Sequence, residues 1–251
     1  MKIRRLGQHE EEIFIAAGEE VLLWDDGTAG RQKIEAAPGA ILSYLAIFDP
    51  AESSPDETYR ELIAGSGSTV NIRQAYFGNR DYRAHFVSRL DAEVRLNQRA
   101  LFFAAAGQNL HLEDQHEFLA AGSQAVFRSD GLVAARGRAE CYSEIALRPA
   151  AQETKTHIDL RLHLLGAEAK GTVLPSLLIA ANRVQAGHAA STFTFSPEDL
   201  FYLRSRGLNE AQAAELAVLS AAESFLADLP QIEAQDIIRT AVKTRLSQTK
   251  I

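Results

Sequence analysis

Short apolar pairs recur along this chain at nearly even intervals, and that recurrence limits what it can fold into. Val94/Leu96, Leu110/Leu112, Ala125/Phe127, Ala139/Cys141 and Ile158/Leu160 follow one another at steps of 16, 15, 14 and 19 residues. A single residue separates the members of each pair, the period of a strand with one buried face. Similar runs occur earlier, at Ile13-Phe14-Ile15, Val21 to Trp24, Ile34 to Ala36, Ile41 to Phe48 and Val70 to Ile72. Turn formers punctuate them: Asp25-Asp26-Gly27, Pro38-Gly39, Gly65-Ser66-Gly67, Gly78-Asn79 and Asp130-Gly131. The polar stretch Asp49 to Asp56 reads as a loop leading into a short helical or extended piece around Tyr59 to Ile63. Short strands at such spacing suit a sandwich, a barrel or a coiled β-solenoid. The steps are too irregular for a strict six-residue left-handed helix. A β-helix whose coils each span two steps fits; on periodicity alone, so does a jelly roll.

The pattern changes after Ser191. Pro197 to Arg206, Glu210 to Asp228 and Ile232 to Leu246 read as three helices. Ser196 is a good N-cap, Pro197 fits the first helical position and Asp199 suits the positive helix end. Gly207 supplies a left-handed stop, with Arg204 and Arg206 in the last turn. Leu216, Leu219, Ala222 and Phe225 share a stripe on the second helix, as do Ile238, Val242 and Leu246 on the third. Such stripes predict packing onto the strand-rich body. The expected division is a core over residues 1–192 and a helical domain over 193–251.

Composition excludes several classes. A hydrophobic content of 46 % and a charged content of 24 % fit a packed globular chain, and no apolar run approaches the ~20 residues that span a bilayer. The basic N-terminus lacks the apolar stretch of a signal peptide. One cysteine, Cys141, rules out an internal disulfide framework, and a reducing cytoplasm is the expected compartment. A net charge of −7 argues against nucleic acid as a partner. The arginines within Arg73 to Arg83 and Arg89 to Arg99 are interleaved with acids and read as solvated surface. No nucleophile elbow and no phosphate-loop motif occurs, so any ATP use would belong to a partner.

Five segments, in order, carry a more specific signal. They are Leu164-Leu165-Gly166, Leu174 to Ile179, Asn182-Arg183-Val184, Gly187-His188-Ala189-Ala190-Ser191, and Asp199-Leu200-Phe201-Tyr202-Leu203-Arg204-Ser205-Arg206-Gly207-Leu208. Together, and followed by Glu210-Ala211, they resemble the SufB/SufD family of iron–sulfur cluster assembly scaffolds. The resemblance is specific over roughly residues 108–228 and architectural before that. It implies a right-handed parallel β-helix with a C-terminal α-helical domain, and a non-enzymatic scaffold role. It implies a SufC-type ABC ATPase docked on the C-terminal helices through Phe201, Tyr202, Arg204, Arg206 and Gly207. It also implies edge-to-edge pairing with a SufB-like protein or with a second copy as a homodimer.

The departures point to a short SufD-like member. Strand patterns begin almost at once, so the N-terminal helical region usual in full-length members is expected to be missing. Leu160 stands where SufB-like sequences place a cysteine, and Ala189 replaces the acid after the histidine. Without that thiolate, a degenerate structural paralogue that dimerises without handling iron or sulfur is the alternative.

His188 is the candidate for cluster or metal chemistry, since a neutral imidazole suits iron as well as zinc. In the family this histidine lies near the SufB–SufD interface. No tightly bound cofactor is expected, only a transient cluster or iron at a protomer interface. The plainer reading is a histidine packing at a strand-to-helix corner. On the strand Thr156 to Leu164, His157, Asp159, Arg161 and His163 share a polar face. With His111 in a neighbouring coil they would form a metal-ligand set; otherwise that face is solvated or meets a partner. His157 and His163 lie roughly 20 Å apart along the strand and cannot share one ion. His116, beside Glu113 and Asp114, reads as loop surface, and Cys141 as a buried, inert thiol. A carbohydrate-active β-helix enzyme, with acids clustered on one strand face, is the weakest fit, because Asp159 stands alone between cations.

Overall fold

In the computed structural model the chain is a two-sheet parallel β-solenoid followed by three helices. Residues 2–6, 12–48, 55–77, 80–105, 107–227, 229 and 232–248 are described. Side chains at 210, 232–234 and 245–248 lie outside that description. The odd-numbered strands are β1 (Lys2–Arg5), β3 (Glu20–Asp25), β5 (Ile41–Phe48), β7 (Thr69–Phe77), β9 (Arg95–Ala104), β11 (Gln124–Ala134), β13 (Thr154–Leu165) and β15 (Val184–Thr194). They stack in that order into an eight-stranded sheet. The even-numbered strands are β2 (Glu12–Ile15), β4 (Arg31–Ala36), β6 (Glu57–Ala64), β8 (Tyr82–Leu90), β10 (Asn109–Phe118), β12 (Arg138–Leu147) and β14 (Lys170–Ile179). They form a seven-stranded sheet. Every pairing is parallel. One coil is therefore two strands, as the two-step reading requires, and the jelly roll is excluded. The piece around Tyr59 is extended, within β6; residues 49–54 and Gly78-Asn79 lie outside the description.

One tight corner per coil sets the register. Its turning residue takes a left-handed φ: Gly18, Gly39, Gly67, Glu93, Gly122 and Glu153 in successive coils. Most are glycine because a Cβ disfavours that conformation. The corners also bond to one another. The amides of Gly39, Gly67, Glu93, Gly122 and Glu153 donate to carbonyls of Ser66, Ala92, Ala121, Gln152 and Arg183, one coil on.

Stacked, in-register strands align like positions into files. The inward files fill the solenoid with one cluster, including Leu23, Leu42, Phe86, Phe102, Phe127, Ile158 and Leu160. The five pairs seen in the sequence are all buried there. This interior is not wholly apolar. At its N-terminal end Arg60 and Asp25, each only 1 % exposed, are joined by Nε–Oδ2 and Nη2–Oδ1 bonds of 2.6 and 3.2 Å. Tyr44 Oη donates to the same carboxylate at 2.6 Å.

A second cluster lies outside the odd-strand sheet. Leu22, Trp24, Leu45, Ile47, Phe77, Leu101, Phe103 and Leu132 face outward and are nevertheless buried. Ala214, Val218, Ala222 and Phe225 of α2 (Glu210–Leu226), with Ile238 and Val242 of α3 (Ile232–Gln248), cover them. Strands β3, β5, β7, β9 and β11 are thus buried on one face at their starts and on both faces at their ends. That explains their continuous apolar runs, such as Leu22-Leu23-Trp24. On α2 the stripe is shifted from the expected one: Leu216 is 56 % exposed, while Val218 and Ala214 are buried. Leu246 lies outside the described side chains.

Candidate functional site

The end coil, β14 and β15, is the last in each sheet, so each strand has one edge without a strand partner among the described residues. His188 pairs in register with Ile158, whose side chain is sealed in the core. Parallel neighbours share a facing, so His188 stands in an inward file. It is nonetheless exposed, because no further described coil covers it. Around it, Val173, Leu177, Val184 and Ala186 are only partly buried against the core. The end of the solenoid is therefore an apolar floor with one imidazole projecting over it. His188 sits mid-strand, not at the strand-to-helix corner. At neighbouring Gly187 a Cβ would come within 3.0 Å of His157 Nδ1, so glycine leaves room for that ring. Leu160 is buried directly beneath Ala190.

The other imidazoles do not converge. His111 lies on β10, in the even-strand sheet, with Nδ1 3.1 Å from Glu140 Oε2. His157 and His163 lie on β13, in the odd-strand sheet. Asp159 is occupied by Arg161 at 2.6 Å. His163 is half-buried with Phe193 5.6 Å away, and burial pushes its pKa down. Among the described residues no group of three or more His, Cys, Asp or Glu is placed to hold a metal ion. The ligand set that would arise if a neighbouring coil brought His111 beside His157 is not formed, which leaves the alternative of a solvated or partner-facing polar face.

His116 is not loop surface. It is an inward residue of β10, 1 % exposed, stacked 3.6 Å from Phe127, with Nδ1 2.9 Å from Ser88 Oγ. Burial lowers its pKa to about 3. Asp114, two residues earlier, is also inward and accepts from Gln98 Nε2 at 2.9 Å. Burial raises its pKa to about 7. Parity was the available signal, since Leu110, Leu112 and Phe118 share it and are core. Cys141 is buried, and burial pushes its thiol pKa well up.

Helix α1 (Pro197–Ser205) carries the residues expected to meet a partner, and none of its own residues is buried. Phe201 is 76 % exposed and Tyr202 57 %. The Arg206 guanidinium lies 5.3 Å from the Tyr202 ring centre, a cation–π distance. The helix is closed at both ends. Asp199 N donates to Ser196 Oγ at 3.1 Å, and Ser196 N donates to Asp199 Oδ2 at 3.0 Å. Ser196 Oγ also donates to Asp199 Oδ2 at 2.8 Å, and this bond together with the Ser196 amide holds the Asp199 carboxyl below the usual range. At the other end Gly207 has φ +85°, while Leu208 N donates to Leu203 O and Gly207 N to Arg204 O. That is a Schellman stop.

A family model described as "SUF system FeS cluster assembly, SufBD core domain" matches residues 22–221, from the third strand into α2. The chain belongs to the SufBD core family. Among curated relatives, this SufBD-family chain is 30 % identical over 152 residues to a SufBD family protein of Pyrococcus horikoshii, covering 59 % of the chain and 32 % of the relative. It is 23 % identical over 224 residues to the iron–sulfur cluster assembly protein SufD of Escherichia coli, covering 88 % and 52 %. It is 34 % identical over 80 residues to SufD of Bacillus subtilis, covering 32 % of the chain and 18 % of the relative. The chain spans about half or less of the length of these relatives. Among the described residues no helix is long and apolar enough to cross a membrane.

Proposed function

We propose that this chain is a non-catalytic scaffold subunit of iron–sulfur cluster assembly in the cytoplasm. Its end coil pairs with a second SufB/SufD-type protomer, and its C-terminal helices dock a SufC-type ABC ATPase. One observation carries this reading: a SufBD core whose last coil leaves two strand edges and His188 open over an apolar floor. Open edges of a sheet are either blunted or paired. Leu174, Leu178 and Ile179 add exposed apolar surface on β14, with exposures of 54 %, 54 % and 48 %.

A single imidazole supplies one ligand, so iron or a nascent cluster, as cargo, would need the partner's groups at the same seam. Aromatic exposure on α1 supports the docking of an ATPase there. Nucleotide-driven movement of that ATPase would shift the seam only through contacts that differ between its states.

Deleting residues 198–251 is a poor test, because it uncovers Trp24, Phe77 and Phe103 on the sheet. Phe201→Ala/Tyr202→Ala touches exposed side chains only. The double variant is expected to lose co-purification with a SufC-type ATPase at an unchanged melting temperature; full retention of the complex would refute docking through α1.

A structural paralogue remains the second reading, favoured by the sealed Leu160 where relatives resembling SufB carry cysteine. Anaerobic reconstitution with the partner protomer separates the two. A visible-absorbing cluster lost in His188→Ala supports cargo handling, and a colourless complex supports the paralogue.

A further inference from the structure

The tight corner of each coil leads into an odd-numbered strand, and the outward residues at or next to the starts of those strands form a row. Arg95, Gln124 and Lys155 are consecutive members of it. Two residues further along the strands, Asn97, Val126 and His157 form a second row. Between and above these rows lies a groove of about 480 Å³.

Three properties bear on what this groove could hold. Its lining includes Arg95, Lys155 and His157 and no acidic residue, on a chain of net charge −7. Neither Arg95 nor Lys155 has a carboxylate partner among the described residues. Some cations elsewhere on the outer faces are neutralised, Arg89 by Glu61 and Glu117, Arg161 by Asp159 and Arg183 by Glu153. Arg83, Arg138 and Lys170, like the groove's pair, have no carboxylate partner among the described residues. The remaining polar lining is the amides of Asn71, Asn97, Gln124 and Gln185 and the hydroxyls of Thr69 and Thr156, which donate and accept without adding charge.

We propose that this groove binds a phosphorylated small molecule, with phosphate oxygens held between Arg95 and Lys155 and a flat body resting on Val126. The two cations stand two strands apart, roughly 10 Å, with the Gln124 amide between them. That spacing suits a di- or triphosphate better than a single anion. Arg and Lys on rigid strands present charge-assisted donors without a loop having to order first. Val126, 37 % exposed, is the apolar centre of the second row. In the third row the exposed Arg128 stands between Arg99 and Asp159, so a carboxylate enters there and the acid-free surface is confined to the first two rows.

The groove's size matches pockets for small ligands, roughly 300–1,000 Å³. A long polyanion fits less well, because Glu93 and Glu153 stand at the corner just before Arg95 and Lys155. This site lies on the sheet's face, not on its edge, and does not depend on the scaffold reading.

Isothermal titration of the full chain alone, with inorganic tripolyphosphate and with ADP, tests it. One site is expected, weakening as salt rises. Arg95→Gln/Lys155→Gln should lose at least about tenfold in affinity, the consequence of removing charge-assisted bonds. Gln124→Glu should lose as much by placing like charge between the phosphates, and Arg183→Gln, outside the groove, should bind as the parent does. Melting curves for all variants should coincide. Absence of binding to both probes would overturn the proposal. So would equal affinity in the double variant, or binding of a single-stranded oligonucleotide but neither probe.

Discussion

Replacing Arg60 by Met should be among the most damaging single changes in this solenoid. Arg60 makes two bonds to Asp25, at 2.6 and 3.2 Å, and its Nη1 reaches the carbonyls of Tyr59 and Gly30 at 3.2 and 3.4 Å. Burial works against its charge, yet Tyr44 and Asp25 more than reverse that and leave its pKa raised. In Arg60→Met the Asp25 carboxylate keeps only Tyr44 Oη and the Gly27 amide, at 2.6 and 2.8 Å. A sealed carboxylate without its counter-ion costs about 3–5 kcal/mol. For a chain of this size that is roughly 6–20 °C in melting temperature. The chain's single tryptophan, Trp24, adjoins Asp25 and is 8 % exposed, so its fluorescence reports unfolding at the pair itself. Asp25→Leu/Arg60→Met should recover much of the loss, since an apolar pair needs no compensation. An Arg60→Met protein that melts within about 2 °C of the parent would show that the pair is not what holds this end.

Three further outcomes follow from positions inside the solenoid. Asp114 has its folded pKa raised to about 7 from 3.8. Its contribution is therefore full below the unfolded value and is lost as pH rises toward 7. Asp114→Asn should gain stability relative to the parent across that window, read as melting temperature at pH 5 and pH 8. His116 acts in the opposite sense, its contribution present above 6.5 and lost as pH falls toward 3. At Gly131, a Cβ would lie 2.1 Å from Phe102 Cζ and 2.8 Å from Leu162 Cδ1. Gly131→Ala should cost about 1–3 kcal/mol by overpacking, visible in urea denaturation.

What the sequence alone determined was local. Alternation decides which side of a strand is apolar, and it placed Val94, Leu96, Phe127, Cys141, Ile158 and Leu160 inside. Ser196, Pro197 and Gly207 marked both ends of α1 because capping involves only residues within one turn. The ordered motifs from Leu164 to Leu208 pointed to the family.

Tertiary structure decided everything that depends on which coil stacks on which. Strand partners lie a full coil apart in the chain, and their alignment follows from corner geometry that no single segment contains. Hence His111 and His157, which only coil stacking could have brought together, belong to different sheets, and Arg95, Gln124 and Lys155, separated by whole coils, form one row. The helices' return onto the odd-strand sheet is equally non-local: it buries a second face that period-2 alternation cannot announce. His188 shows both sides of this. Its identity was legible in the sequence, but its place over the open end exists only because the described stack stops one strand later than the core beneath it.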